Sequence, residues 1–287
     1  MEATAITNIL LPVALGVIML GLGLSLTLDD FRRVAVYPRA VIAGLLLQMV
    51  VLTVAAFACA KLFALPPELA VGLMLLAASP GGATANIFSH LARGDVALNI
   101  TLTAINSALS LLWLPFVVNW SLDHFLGRGQ YIPPPVGKIV EVAAIIVLPV
   151  VIGMILRGRA PRFAAGMERP IRIFAVLFLA LLVAGAIGEN WKILLPALAA
   201  VGLACLAFNV ISLAVGYAAP LVLRLPPRQA IGIAMEIGIH NGALAIYVAL
   251  NVLKMPQTSF APAIYSLIMF VTAAIFVFAL TRRAAAA

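Results

Sequence analysis

Glu236, His240 and Asn241 stand in the middle of an apolar run, Ala230–Ala249, that reads AIGIAMEIGIHNGALAIYVA. A carboxylate and an imidazole can carry protons or hold a cation, and an amide can offer oxygen to a cation or N–H to an anion. Glu236 and His240 are four residues apart and share one face if the helix is continuous. Gly232, Gly238 and Gly242 weaken that helix on both sides of the pair. A carboxylate inside a run long enough to cross a bilayer is costly and marks a functional site by default.

A second interrupted run matches it. Leu69–Asp95 reads LAVGLMLLAASPGGATANIFSHLARGD, with Ser79-Pro80-Gly81-Gly82 at its centre. Proline removes a backbone donor and the two glycines are flexible, so a break is predicted there. A plain proline kink needs neither the second glycine nor the Thr84 and Asn86 that follow. The second half-helix would begin near Ala83 and Thr84, where free N–H groups and the positive dipole end attract an anion.

The next apolar run carries Asn99, Thr103 and Asn106 at spacings i, i+4 and i+7, one helical face. Asn99 and Thr103 suit cation ligation because they follow the break so closely. Ser107 and Ser110 read as helix–helix hydrogen bonding. Gln48 and Asn209 are lone amides in apolar runs, divided between packing and cavity lining. His90 and His124 receive no role, and Cys59 and Cys205 read as buried thiols. There is no Ser/His or Asp/Asp pair within the spans and no zinc-type spacing, which argues against an intramembrane enzyme.

Positioning these groups falls to membrane helices. The chain has 287 residues, 64% of them hydrophobic and 10% charged, and its mean hydropathy is +1.17. That composition excludes a soluble globule. Spans of about 20 apolar residues give about nine crossings. They run Ile6–Thr27, Ala40–Phe63, Leu69–Leu91, Val96–Val118, Val136–Leu156, Ile171–Gly188, Ile193–Leu223, Ala230–Leu253 and Ala261–Leu280. No basic residue precedes the first run, so no cleavable signal peptide is expected.

The net charge of +8 is distributed by side. Arg32, Arg33, Arg39, Arg93, Arg157, Arg159, Arg162, Arg169, Arg172, Arg224, Arg228, Arg282 and Arg283 fall on one side of a nine-span topology. Lys61, Arg128, Lys138, Lys192 and Lys254 fall on the other. The arginine-rich side is cytoplasmic by the positive-inside rule, which puts the N-terminus outside and the C-terminus inside. The basic excess is thus topological, and neither nucleic acid nor a protein partner is implied. Trp120, Trp191 and Tyr131 sit near span ends, as interfacial anchors. The two broken spans are each second in a run of three, 2–3–4 and 7–8–9, with opposed orientations. This is the pattern of an inverted repeat, in which paired broken helices mark a carrier's binding site.

At these residues the chain resembles the bile acid:sodium symporter family, over nearly its whole length. The resemblance is carried by Pro80-Gly81-Gly82-Ala83-Thr84-Ala85-Asn86, by Leu91-Ala92-Arg93-Gly94-Asp95-Val96-Ala97-Leu98, and by Glu236-Ile237-Gly238-Ile239-His240-Asn241. Gly21-Leu22-Gly23-Leu24 through Asp30-Phe31 also fits. It implies an all-α polytopic membrane protein with a core crossed by two discontinuous helices, here residues 40–118 and 193–280, moving against a panel of residues 6–27, 136–156 and 171–188. It implies one sodium site at Asn86, Asn99, Thr103 and Glu236. A second would use Gln48, Glu236, the carbonyls of Ile237 and Ile239, and the position of His240. A substrate carboxylate would lie at the backbone of Ala83 and Thr84 beside Asn241, with Asn209 nearby.

Two departures stand out. Ala85 replaces a serine common in the family, and His240 replaces a glutamine. An imidazole is a poor sodium ligand and changes charge near neutral pH. Met269 and Phe270 stand where some members offer polar substrate contacts, so a steroid substrate does not follow. The expected function is sodium-coupled symport of an organic anion, bile acid-like or a smaller carboxylate, by alternating access in a bacterial inner membrane. The alternative is a proton-coupled carboxylate carrier, or an exporter of a related carrier family. No cofactor is implied beyond sodium as coupling ion.

Overall fold

The computed structural model describes residues 10–82, 84–127 and 136–286. Ala83, Tyr131 and the start of the first span at residues 6–9 lie outside them. The described chain is helical, and its one β-type pairing is a single antiparallel bridge between Gly81 and His240.

Helix α1 (Leu11–Ser25) stops before Thr27, and the short α2 (Leu28–Arg32) leaves at 70°. The bend is fixed by a capping box: Asp30 accepts from the Thr27 N–H and from its hydroxyl, each at 2.7 Å. Helix α3 (Pro38–Leu62) contains one π-type turn, Leu47–Val51. Next come α4 (Pro67–Ala78), α5 (Ala85–Leu91) and α6 (Val96–Leu126). Then follow α7 (Val136–Arg159), α8 (Pro161–Val222), α9 (Pro227–Gly238), α10 (Gly242–Val252) and α11 (Phe260–Ala286). Proline opens α3, α4, α8 and α9 within the first turn, where its missing N–H costs nothing.

Among the described residues, four helical segments are long and apolar enough to cross a membrane: Pro38–Leu62, Val96–Leu126, Val201–Val222 and Pro256–Arg282. The bent pair α1–α2 makes a fifth if it is one span. The protein is therefore an integral membrane protein with many apolar side chains, such as Leu112 (79% exposed) and Val271 (61%), turned outward to lipid. Where two helices must approach closely, glycine permits it. A Cβ on Gly23 of α1 would stand 2.1 Å from the Val150 carbonyl oxygen of α7, and one on Gly153 would stand 2.5 Å from the Leu20 carbonyl oxygen. Small residues at such contacts are the usual packing device in lipid.

One element departs from the sequence reading. The apolar stretches Ile171–Gly188 and Ile193–Leu223 lie within one helix of 62 residues rather than two spans with a turn between. Gly188-Glu189-Asn190-Trp191-Lys192 is polar enough to mark a membrane surface but holds no proline, so nothing in it forces the backbone out of a helix. The N-terminal part of α8 packs on α1, where Ile171 meets Gly21. Its C-terminal part packs on α9 and α11.

Candidate cation site at the meeting of two broken helices

Both interruptions fall where the sequence puts them. Helix α4 ends at Ala78, Ser79 is extended (φ −74°, ψ 147°), and α5 starts at Ala85. Helix α9 ends at Gly238, Ile239 is extended (φ −117°, ψ 90°), and α10 starts at Gly242. The two extended pieces pair with each other: Gly82 N–H donates to the Ile239 carbonyl at 2.7 Å, and Asn241 N–H donates to the Pro80 carbonyl at 2.9 Å. Glu236 and His240 accordingly do not share a continuous helix face, because the helix stops between them.

Breaking a helix at membrane depth frees backbone groups that the surroundings must satisfy. Gln48 Nε2 donates to the Ala77 carbonyl (3.2 Å) and to the Ser79 carbonyl (3.0 Å). His240 Nδ1 stands 3.2 Å from the same Ser79 oxygen and must carry the proton there, since a carbonyl only accepts. On the other break, Asn209 Nδ2 (2.8 Å) and the Tyr265 hydroxyl (3.0 Å) both donate to the Gly238 carbonyl. Asn209 also donates to the Tyr265 oxygen at 2.8 Å and accepts from Thr272 Oγ1. Asn209, expected near the substrate, is thus fully buried with its amide engaged in holding the end of α9.

Glu236 lies one turn before its break and is 0% exposed. Thr103 Oγ1 lies 2.5 Å from its Oε2, and Asn106 Nδ2 donates to its Oε1 at 3.2 Å. The backbone of Gly81 lies against the same carboxyl group, so closely that a Cβ there would stand 2.4 Å from the carboxyl carbon. One proline-glycine break therefore touches the acid of the other. Asn99 Nδ2 donates to the Gly232 carbonyl at 2.8 Å and ties α6 to α9 below the acid. Asn106 was not among the expected ligands, although its i+7 spacing from Asn99 was the available signal.

Among the buried polar atoms without a partner, which include Trp113 Nε1 and the Ser107 hydroxyl, four are amide oxygens. The side-chain oxygens of Gln48, Asn86, Asn99 and Asn106 are buried, and none has a hydrogen-bond partner among the described residues. Leaving a buried polar atom unpartnered costs about 1–3 kcal/mol, so four amide oxygens in this condition demand a reason. Amide, carboxylate and hydroxyl oxygens are the donors a hard cation takes, and of these residues Asn106 is the one that also bonds the carboxylate, beside Thr103. His240 Nε2 is also buried without a partner, and its ring lies 5.8 Å from Phe208 and 5.5 Å from Tyr265. The Ile239 carbonyl gives one lone pair to the bridge. Thr84 precedes α5 without capping it through its side chain. Asn241 caps α10, its Oδ1 accepting from Leu244 N–H at 3.1 Å.

Fold and site thus define a helical membrane protein built around two broken helices that meet at a buried carboxylate. The chain belongs to the sodium bile acid symporter family, whose family model matches residues 12–197. That segment includes the first break and α6, while Glu236 lies beyond it. A probable sodium/metabolite cotransporter of Arabidopsis thaliana chloroplasts, BASS1, is 31% identical over 88% of this chain and 62% of its own length. The mouse P3 protein is 29% identical over 85% of this chain and 52% of its own. The uncharacterized sodium-dependent transporter YocS of Bacillus subtilis is 26% identical over 82% of this chain and 72% of its own. The chain spans about three fifths or less of the length of several curated relatives it matches.

Proposed function

We propose that this protein is a secondary active transporter that moves an organic anion together with sodium by alternating access. The observation that carries this reading is the buried Glu236, met by Thr103 and Asn106 and by the backbone of Gly81 from the other break, together with the unpartnered amide oxygens of Gln48, Asn86, Asn99 and Asn106 on the segments that carry or brace the first break. Membership of the sodium bile acid symporter family and the printed names of the relatives support sodium as the coupling ion. Asn86, Asn99, Thr103 and Glu236, joined by Asn106, would hold one sodium. Gln48, Glu236 and the carbonyls of Ile237 and Ile239 would serve a second, with His240 at its edge.

Cation binding compensates the buried carboxylate and pins Gly81 against it, which fixes the relation of the two breaks. The anion would then meet the backbone at Ala83 and Thr84, beside Asn241. Residues 40–118 and 193–280 form the core in this reading, and 6–27, 136–156 and 171–188 the panel. The two broken helices are the matching members of an inverted repeat. With nine crossings and the N-terminus outside, the chain turns back near Gly188–Lys192, opening the long α8 in the bilayer. Uptake of labelled organic acids into proteoliposomes, with and without a sodium gradient, tests this directly. Equal uptake in both arms for every transported acid would overturn it.

A second reading is coupling to protons, as in a proton-driven carboxylate carrier or an exporter. It is favoured by one observation: His240 Nε2 is buried without a partner, and a nitrogen is a weaker ligand than oxygen for a hard cation. Uptake that follows a proton gradient, fails in His240→Ala and ignores sodium would select it.

A further inference from the structure

Helices α3 and α8 end in the same way. Ala64-Leu65-Pro66-Pro67 leads from α3 into the first broken helix, and Arg224-Leu225-Pro226-Pro227 leads from α8 into the second. Ala64 (φ 47°) and Arg224 (φ 58°) are both left-handed. The next N–H closes each end, Leu65 on the Ala60 carbonyl at 3.0 Å and Leu225 on the Pro220 carbonyl at 2.9 Å. Alanine serves this cap as well as arginine does, so the backbone has no need of the Arg224 guanidinium.

A second arginine meets it from the other helix. Arg39, in the first turn of α3, donates from Nη2 to the Leu223 carbonyl at 3.3 Å. Leu223 directly precedes Arg224, so two side-chain cations belong to one helix end. Arg32 and Arg33 are paired with Asp29 and Asp30, at 3.3 and 3.8 Å. Arg39 and Arg224 are exposed and have no carboxylate partner among the described residues. Exposed apolar side chains adjoin both. Ile42 and Leu46 follow Arg39 at i+3 and i+7 on one face of α3, and Val222 (81% exposed) and Leu223 precede Arg224. Guanidinium forks match a phosphate, and the apolar side chains beside them match acyl chains. A soluble anion would use the first and leave the second uncovered.

We propose that Arg39 and Arg224 bind the phosphate of an anionic phospholipid whose acyl chains lie along Ile42, Leu46 and Val222. Basic groups between membrane helices recognise such headgroups at the cytoplasmic leaflet, where the topology proposed above puts both arginines. The consequence lies in what the two helices carry. Helix α3 holds Gln48, which braces the first break, and α8 holds Asn209, which clamps the second. A phosphate bridging Arg39 and Arg224 ties together the ends of the helices that support both breaks, where one hydrogen bond from Arg39 otherwise joins them. Nothing in this site depends on which ion is coupled.

The test uses the full-length protein in nanodiscs of phosphatidylcholine, alone or mixed with phosphatidylglycerol. The parent should melt several degrees higher in the mixed membrane and retain phosphatidylglycerol in native mass spectrometry. Arg39→Gln combined with Arg224→Gln should lose more than half of that rise, and the retained lipid with it. Arg159→Gln combined with Arg162→Gln removes the same charge elsewhere on the arginine-rich side and should keep both. Arg224→Ala copies the Ala64 cap and spares the Arg39 bond, so it reads the site even if the first pair of changes prevents folding. Its rise should also shrink. Inorganic phosphate added to phosphatidylcholine nanodiscs should produce no rise. A parent that melts at the same temperature in both membranes overturns the proposal, as does an undiminished rise in Arg224→Ala. Equal losses in the two double variants would reduce the effect to net charge, and a full rise with inorganic phosphate would make the ligand a free anion; either result also overturns it.

Discussion

Glu236 owes its place to a small set of neighbours, each with a testable role. Thr103 has one hydroxyl proton and two acceptors, Glu236 Oε2 and the Asn99 carbonyl at 3.0 Å, so it can satisfy only one at a time. A cation on the carboxylate relieves that competition by leaving the proton to the Asn99 carbonyl. Glu236→Gln keeps the shape and removes the charge. We expect it to fold, with its melting temperature in sodium-free buffer within a few degrees of the parent. It should lose the rise in melting temperature on adding sodium, and uptake with it. An unchanged sodium-dependent rise would remove Glu236 from the site. Gly81→Ala is the complementary change in the opposite break, since its methyl would stand 2.4 Å from the carboxyl carbon. Forcing the two apart should weaken apparent sodium affinity about tenfold or more, the effect of about 1.4 kcal/mol. Titrating melting temperature against sodium concentration measures it.

At the scale of elements, the two breaks are held by different means. Gln48 reaches the carbonyls of α4 from a π-type turn, a local widening often found at functional positions. Asn209 clamps the end of α9 together with Tyr265 and Thr272, all within protein. Asn209→Leu leaves the Gly238 carbonyl to Tyr265 alone and returns the Thr272 hydroxyl to the Ile268 and Met269 carbonyls of its own helix. The expected cost is about 1–3 kcal/mol of stability, read as a lower melting temperature in detergent. Sodium should still stabilise this variant, because Asn209 contributes no oxygen to the proposed ion sites. Loss of the sodium response in a folded Asn209→Leu protein would mean that the end of α9 must be held for the ion to bind. Such a result would move Asn209 from a structural clamp into the coupling machinery.

For the molecule as a whole, α8 is the point of tension. At about 1.5 Å per residue its 62 residues would span about 93 Å if straight, some three thicknesses of the hydrocarbon core. Arginines mark both of its ends: Arg157 and Arg159 precede it, Arg162, Arg169 and Arg172 fall in its N-terminal part, and Arg224 and Arg228 follow it. If both clusters face the cytoplasm, the chain must turn back between them. Reporter fusions at Arg162, Lys192 and Arg224 decide this: the first and third should report the cytoplasm and the second the outside. Opposite sides for Arg162 and Arg224 would sink the nine-span topology and the assignment of the panel.

Composition and local pattern were enough to determine a great deal here. A mean hydropathy of +1.17 requires a membrane protein, and Pro80-Gly81-Gly82 and the glycines flanking Glu236 break their helices whatever surrounds them. These are effects of backbone chemistry, and a backbone effect is legible wherever the residue is. That Glu236 is the acid at stake also follows locally, from its position in an apolar run. Tertiary structure alone decided that Gly81 pairs with His240 and touches Glu236, because partners more than 150 residues apart leave no trace of their register in either segment. It also decided that Asn106 rather than solvent meets the carboxylate, and that Asn209 spends its amide on a backbone carbonyl. An amide in an apolar run looks the same whether it braces a helix or faces an ion; only the identity of the atom across from it distinguishes the two.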